Sequence, residues 1–161
     1  MRSHRKFEEA FALLEKGYKF QRRGKLRQAI RIYRASLKLL PTAEGHTYLG
    51  WALSLLGKYK KAIRECYVAI ELDEEYGNPY NDLGYYFSLF KEYDKAVEWL
   101  NKAISAPRYK ERYVPYYNLG RIYELQGNWG MAIEYYYHAF TMNPSFHEAS
   151  HAAIRLQALL N

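Results

Sequence analysis

The chain has 161 residues, 49% of them apolar, enough for one domain with a buried core and too many for a disordered composition. Its single cysteine, Cys66, excludes an internal disulfide framework, and no stretch approaches the roughly 18 consecutive apolar residues of a membrane span. The net charge of +7 is lopsided: residues 1–42 hold 12 Lys/Arg against Glu8, Glu9 and Glu15, or +9, and the remainder nets −2.

In chain order, Met1 to Lys6 is basic but runs straight into Phe7-Glu8-Glu9-Ala10, with no apolar core of a signal peptide behind it. With the lone cysteine, this predicts a soluble protein in the reducing cytoplasm. From about residue 10 the chain repeats itself. Gly17, Gly50, Gly84 and Gly120 are 33, 34 and 36 apart, and twelve residues after each comes an alanine: Ala29, Ala62, Ala96 and Ala132. Seven further on are the small residues Ser36, Ala69, Ala103 and Ala139, and three after each glycine stands a bulky one: Phe20, Leu53, Phe87 and Tyr123. Small residues let two helices approach closely and large ones fill the gaps beside them, so each copy predicts an antiparallel helix pair.

The four copies span about residues 10–42, 43–76, 77–112 and 113–146. Within each pair the chain turns at Gly24, Gly57 and Gly127, where glycine accepts positive φ cheaply; the third copy has Lys91 there, so its turn should be tighter or slightly strained. Pro41 and Pro144 stop the second helices of the first and fourth copies, and two extra residues near Ala106–Lys110 predict a longer connection after the third. A last helix, about 145–160, carries Phe146, Ala149, Ala153, Leu156 and Leu160 on one face, as a cap over the end of the array.

This pattern resembles the tetratricopeptide repeat family, whose consensus runs W-x-x-L-G-x-x-Y, then Ala, an aromatic, Ala and Pro. The fourth copy matches best, at Tyr116, Leu119, Gly120, Tyr123, Gly127, Ala132, Tyr136, Ala139 and Pro144, and the match covers about residues 10–146. Lys16 stands in the leucine slot of the first copy, and Glu74 and Arg108 stand in the proline slots of the second and third. The resemblance implies an all-α protein: a right-handed superhelix, or α-solenoid, of four helix-turn-helix motifs plus the cap, with a concave groove lined by the first helix of each pair.

On the same basis the groove slots hold Leu14, Glu15 and Tyr18; Thr47, Tyr48 and Trp51; Asn81, Asp82 and Tyr85; and Tyr117, Asn118 and Arg121. Tyr18, Trp51 and Tyr85 share one slot in three consecutive copies, flanked by Tyr48 and Tyr117. Rigid aromatics with a polar tip suit a peptide-binding surface, with Asn81 and Asn118 as backbone partners and Arg121 for a carboxylate. Against this, aromatics also dominate ordinary cores. Tyr33, Tyr59, Tyr80, Tyr93, Tyr116, Tyr123 and Tyr136 occupy family core slots, as does Cys66, a small buried hydrophobe rather than a nucleophile. The family's clamp for chaperone C-termini is a poor fit: counted from the first copy its slots hold Leu14, Tyr18, Tyr48, Asn78 and Asp82, none of the required type, and counted from the third only Asn118 matches.

Arg27, Arg31, Arg34 and Lys38 form a basic stripe on the second helix. It reads first as a solvated convex face, and otherwise as a contact for an acidic protein, an anionic lipid surface or RNA, the last unsupported by any nucleic-acid motif. His147-Glu148-Ala149-Ser150-His151 spells the H-E-x-x-H of zinc proteases, but the ten residues after it contain no further Glu, Asp or His and the segment already serves as the cap. Adventitious metal binding by the two histidines fits better than catalysis. The reading is a non-enzymatic protein-interaction scaffold with no cofactor and no functional metal. Its partner is a peptide or helix of another protein, or another copy of itself, with Met1 to Lys6 as a segment for insertion into a neighbour. Membrane contact would be peripheral only.

Overall fold

In a computed structural model of the chain, residues 2–160 are described, with side chains from His4 to Leu160. Among them are nine helices and no strand: α1 (Arg2–Arg22), α2 (Leu26–Leu39), α3 (Ala43–Leu55), α4 (Tyr59–Leu72), α5 (Asn78–Leu89), α6 (Tyr93–Ser105), α7 (Tyr113–Leu125), α8 (Trp129–Met142) and α9 (His147–Leu160). They fall into two compact units, residues 1–82 and 83–161, and α5 contributes to both.

In the first unit α1 packs on α2, α3 on α4, and α2 on α3. The repeated glycine marks where each pair closes. A Cβ on Gly17 would lie 2.5 Å from the Tyr33 ring, so only a hydrogen fits there. In the next pair Cys66 takes the place of that tyrosine and the second helix comes in close, so that a Cβ on Gly50 would meet the backbone oxygen of Ala62 at 3.2 Å. Ala29, Ala62, Cys66 and Ala69 have no exposed surface. The turns use Gly24 and Gly57 at φ 71° and 72°. Thr42 caps α3 by accepting the Gly45 N–H at 3.0 Å.

The helix α1 begins about two turns before the repeat pattern does. Nothing in Arg2–Glu9 breaks a helix: the stretch lacks Gly and Pro, and His4 and Glu8 pair at 3.3 Å across one turn. Arg2 to Lys6 is therefore helical, and Met1, the start of the proposed insertion segment, lies outside the described residues.

In the second unit α7 packs on α8, α8 on α9, and α6 on α7. A Cβ on Gly84 would fall 2.5 Å from Leu100 Cγ, and one on Gly120 2.6 Å from Tyr136 Cδ1. Lys91 takes the turn position in the left-handed region at φ 61°, beside Gly127 at 75° in the following pair. The longer connection between α6 and α7 is held by Arg112, whose guanidinium donates to the carbonyls of Ile104, Ala106 (2.7 Å) and Pro107 (3.3 Å). On α9, Ala149, Ala153 and Leu156 are buried, the last two against Ala132 and Tyr136 of α8. Leu160 does not join that face. At the C-terminal end of α9 it is 57% exposed, while the packing on Ala132 and Tyr136 of α8 involves Ala153 and Leu156.

The seven tyrosines assigned to core slots divide. Tyr33 and Tyr136 are fully buried, but Tyr59, Tyr80, Tyr93, Tyr116 and Tyr123 are only partly so. Tyr86, two residues past Gly84, is buried instead, at 1% exposure.

Candidate functional site

The first unit brings its three aromatic slot residues together. Tyr18 on α1 lies 5.6 Å, centroid to centroid, from Tyr48 and 6.3 Å from Trp51, both on α3. Beneath them Tyr48 stacks on Tyr33 at 5.9 Å, joining the patch to the core. The Tyr33 hydroxyl donates to Gln21 Oε1 at 2.8 Å, and burial holds this phenol protonated, its pKa pushed well above the ordinary value. Rigid neighbours below and solvent above leave Tyr18 36% and Trp51 40% exposed. Such a surface is pre-organised: little rotamer freedom remains to be lost when something covers it.

Leu14 and Thr47, also slot residues, are buried, and Thr47 donates to the Ala43 carbonyl at 2.8 Å. Asn81 is recessed at 8% exposure. Its neighbour Asp82 has a carboxyl pushed up to about 7 by burial, with a side-chain hydrogen bond to Asn81 pulling the other way. Burial also raises the Cys66 thiol, aided by the negative charges of Asp82 and Glu65, so Cys66 is an inert core residue.

The second unit holds the other half of the set. Arg121 on α7 places its guanidinium 5.6 Å from the centroid of the Tyr85 ring, a cation–π contact that stiffens both side chains. Tyr117 packs against Tyr136 (5.3 Å) and edge-on to Phe146 (5.0 Å). Asn118 is recessed at 9% exposure. Tyr117 thus serves packing as much as surface, and Tyr85 and Arg121, partly exposed like it, present a polar-edged aromatic face.

Arg27, Arg31, Arg34 and Lys38 are all exposed along α2, as a solvated face requires. His147 and His151 sit on the outer face of α9, ring centroids 6.4 Å apart, and among the described residues no cluster of three or more His, Cys, Asp or Glu is placed to hold a metal. A zinc-protease site would need a third ligand, and none stands beside the pair among the described residues.

One surface went unread in the sequence. Phe7 and Phe11, stacked at 6.4 Å, are 54% and 53% exposed on the extended part of α1. With Leu14, Leu40 and Thr42 they border a cavity of about 190 Å³. Its signal in the sequence is an i, i+4 phenylalanine pair that straddles the start of the repeat pattern and so belongs to no copy.

The chain is similar to known repeat proteins. Tetratricopeptide repeat patterns match residues 14–76, 78–109 and 113–146. The BBSome complex member BBS4 of Bos taurus is 28% identical over 135 residues, 83% of this chain and 25% of that protein. The chain thus spans about a quarter of the length of the curated relatives it matches. Among solved structures, pilF of Pseudomonas aeruginosa superposes with a TM-score of 0.84 at 24% identity, covering 93% of this chain and 68% of that one. MamA superposes at 0.69 with 28% identity, covering 87% and 81%.

Proposed function

The chain belongs to the tetratricopeptide repeat family, whose helical arrays are typically non-enzymatic protein-interaction scaffolds, and we propose that it holds a peptide or helical segment of a partner against the aromatic faces of its first helices. The observation that carries this reading is the exposed, core-backed cluster of Tyr18, Tyr48 and Trp51. Large aromatics that are already rigid bury much area on binding at little entropic cost, which is why they recur as the residues that dominate interface energies. Tyr85 and Arg121 extend the same chemistry into the second unit, where the guanidinium would meet a carboxylate of the bound segment. Asn81 in the first unit and Asn118 in the second, both recessed, would supply amides to the backbone of the bound segment, and Tyr117 would add to the aromatic surface of the second unit. Membership of a multiprotein assembly, as for BBS4, accords with this role, and a reducing cytoplasmic setting accords with the buried free thiol.

A second reading rests on the α2 stripe. Arg27, Arg31, Arg34 and Lys38 present four exposed cations on one face, suited to an acidic protein surface or anionic lipid. One experiment separates the two: capture of partners by the wild type, by Trp51→Ala/Tyr85→Ala, and by Arg27→Glu/Arg31→Glu/Arg34→Glu. The aromatic reading requires that the first variant, folded by circular dichroism, lose the partner, with a cost on the order of 2 kcal/mol for an interface tryptophan. Loss confined to the charge-reversed variant, with strong salt sensitivity, would move the function to α2.

A further inference from the structure

The outer face of α9 has a pattern that capping does not explain. The inner face, Ala149, Ala153 and Leu156, is fully covered. Opposite it, His147, His151, Ile154 and Ala158 are all exposed, at spacings of four, three and four residues. Ile154 is 57% exposed. That spacing is the a/d seam of paired helices, with two imidazoles occupying adjacent seam positions.

The imidazoles are placed for a metal. Their centroids are 6.4 Å apart and their planes 25° from parallel. Zinc–nitrogen bonds of about 2.0–2.1 Å in a tetrahedral site bring two ring centroids to roughly 5 Å, which small rotations of two exposed side chains supply. Imidazole nitrogen suits zinc, copper and nickel. Glu148 lies one residue, about 100° around the helix, off the seam, and at the first turn its charge offsets the positive end of the helix dipole beneath a bound cation. Since no third ligand stands beside the pair among the described residues, one chain fills only half of a tetrahedral shell.

We propose that His147 and His151 bind one zinc-class divalent ion, and that the same pair from a second copy of the chain completes its coordination. The seam makes a second copy the fitting occupant. In a two-fold pair with parallel α9 helices each seam residue meets its own counterpart, so four imidazoles converge and Ile154 covers Ile154. The exposed isoleucine is thereby buried in continuity with the metal site.

The test uses the untagged chain, stripped with chelator and titrated with zinc chloride at neutral pH, followed by calorimetry and sedimentation. The expected result is one zinc per two chains and a rise in mass from 19.1 kDa to about twice that, reversed by chelator. His147→Gln and His151→Gln each abolish both effects, and Ile154→Glu abolishes the dimer. Three outcomes overturn the proposal: no zinc-dependent change in mass, a one-to-one complex that stays monomeric, or binding that survives either histidine substitution. The three substituted side chains are exposed, so the variants are expected to keep the helical spectrum of the wild type.

Discussion

Gly120 stands so close to Tyr136 that a single methyl group cannot be added between them: a Cβ there would lie 2.6 Å from Cδ1 and 2.7 Å from Cε1 of the ring. The ring cannot swing aside, because it is 1% exposed and its hydroxyl donates to Glu124 Oε2 at 2.7 Å. Gly120→Ala therefore forces α7 and α8 apart. Its cost should be about 2–3 kcal/mol, even though alanine is by itself the better helix former by nearly 1 kcal/mol. At Gly50 the nearest obstacles are the Ala62 carbonyl at 3.2 Å and Glu65 Cβ at 3.3 Å, a milder conflict, because Cys66 is small where Tyr136 is large. Gly50→Ala should cost less than about 1 kcal/mol by the same balance. Urea denaturation of the two variants checks the order, and equal losses would refute the account of why the glycines recur.

Lys91 adopts φ 61° where the corresponding turns use glycine. The left-handed region costs a residue with a Cβ about 1–2 kcal/mol, partly offset by glycine's larger entropy when unfolded. Lys91→Gly should accordingly stabilise the second unit by about 0.5–1 kcal/mol. The reverse change, Gly57→Lys, should destabilise the first unit by a similar amount. Thermal unfolding of the pair of variants gives both signs in one experiment.

These two cases also mark what was legible in advance. The glycine and alanine spacings, the positive-φ turns and the odd status of Lys91 follow from local rules, each obeyed within one helix pair, and so they could be read directly. Tyr18, Tyr48 and Trp51 were placed by the family's slot pattern and do meet in space. Which tyrosines are buried could not be read the same way. Tyr86 is buried and Tyr59 only partly so, and the repeat spacing, which sets both on a helix face, carries no signal for that difference. The extension of α1 escaped for a related reason: a repeat pattern is silent where no copy precedes it, and only helix propensity governs Arg2–Glu9.

Asp82 makes stability depend on pH in an unusual direction. Its carboxyl titrates near 7 in the folded chain, because burial disfavours the charged form, against 3.8 without that burial. Between those values the folded chain keeps a proton that the unfolded chain has released, so stability declines as pH rises from about 4 to 7 and then levels off. Asp82→Asn removes this contribution. The variant should gain stability over wild type at pH 8 and little at pH 4, as measured by urea midpoints across the range. A uniform gain at all pH values would mean that Asp82 is ionised throughout.

Glu124 joins three helices. One carboxylate oxygen accepts from the Tyr136 hydroxyl of α8 at 2.7 Å, and the other accepts from Arg155 Nη2 of α9 at 2.7 Å. The two bonds differ in worth. Arg155 is about half exposed, so its charge is screened and Arg155→Ala should cost no more than about 0.5 kcal/mol. Tyr136 is 1% exposed, so Glu124→Ala takes the acceptor from a recessed hydroxyl, at a cost of about 1–3 kcal/mol. Tyr136→Phe together with Glu124→Ala removes both donor and acceptor, and should recover much of that loss. The double-mutant cycle is the check: additive losses would show that Glu124 acts through Arg155 and the attachment of α9, not through the buried phenol.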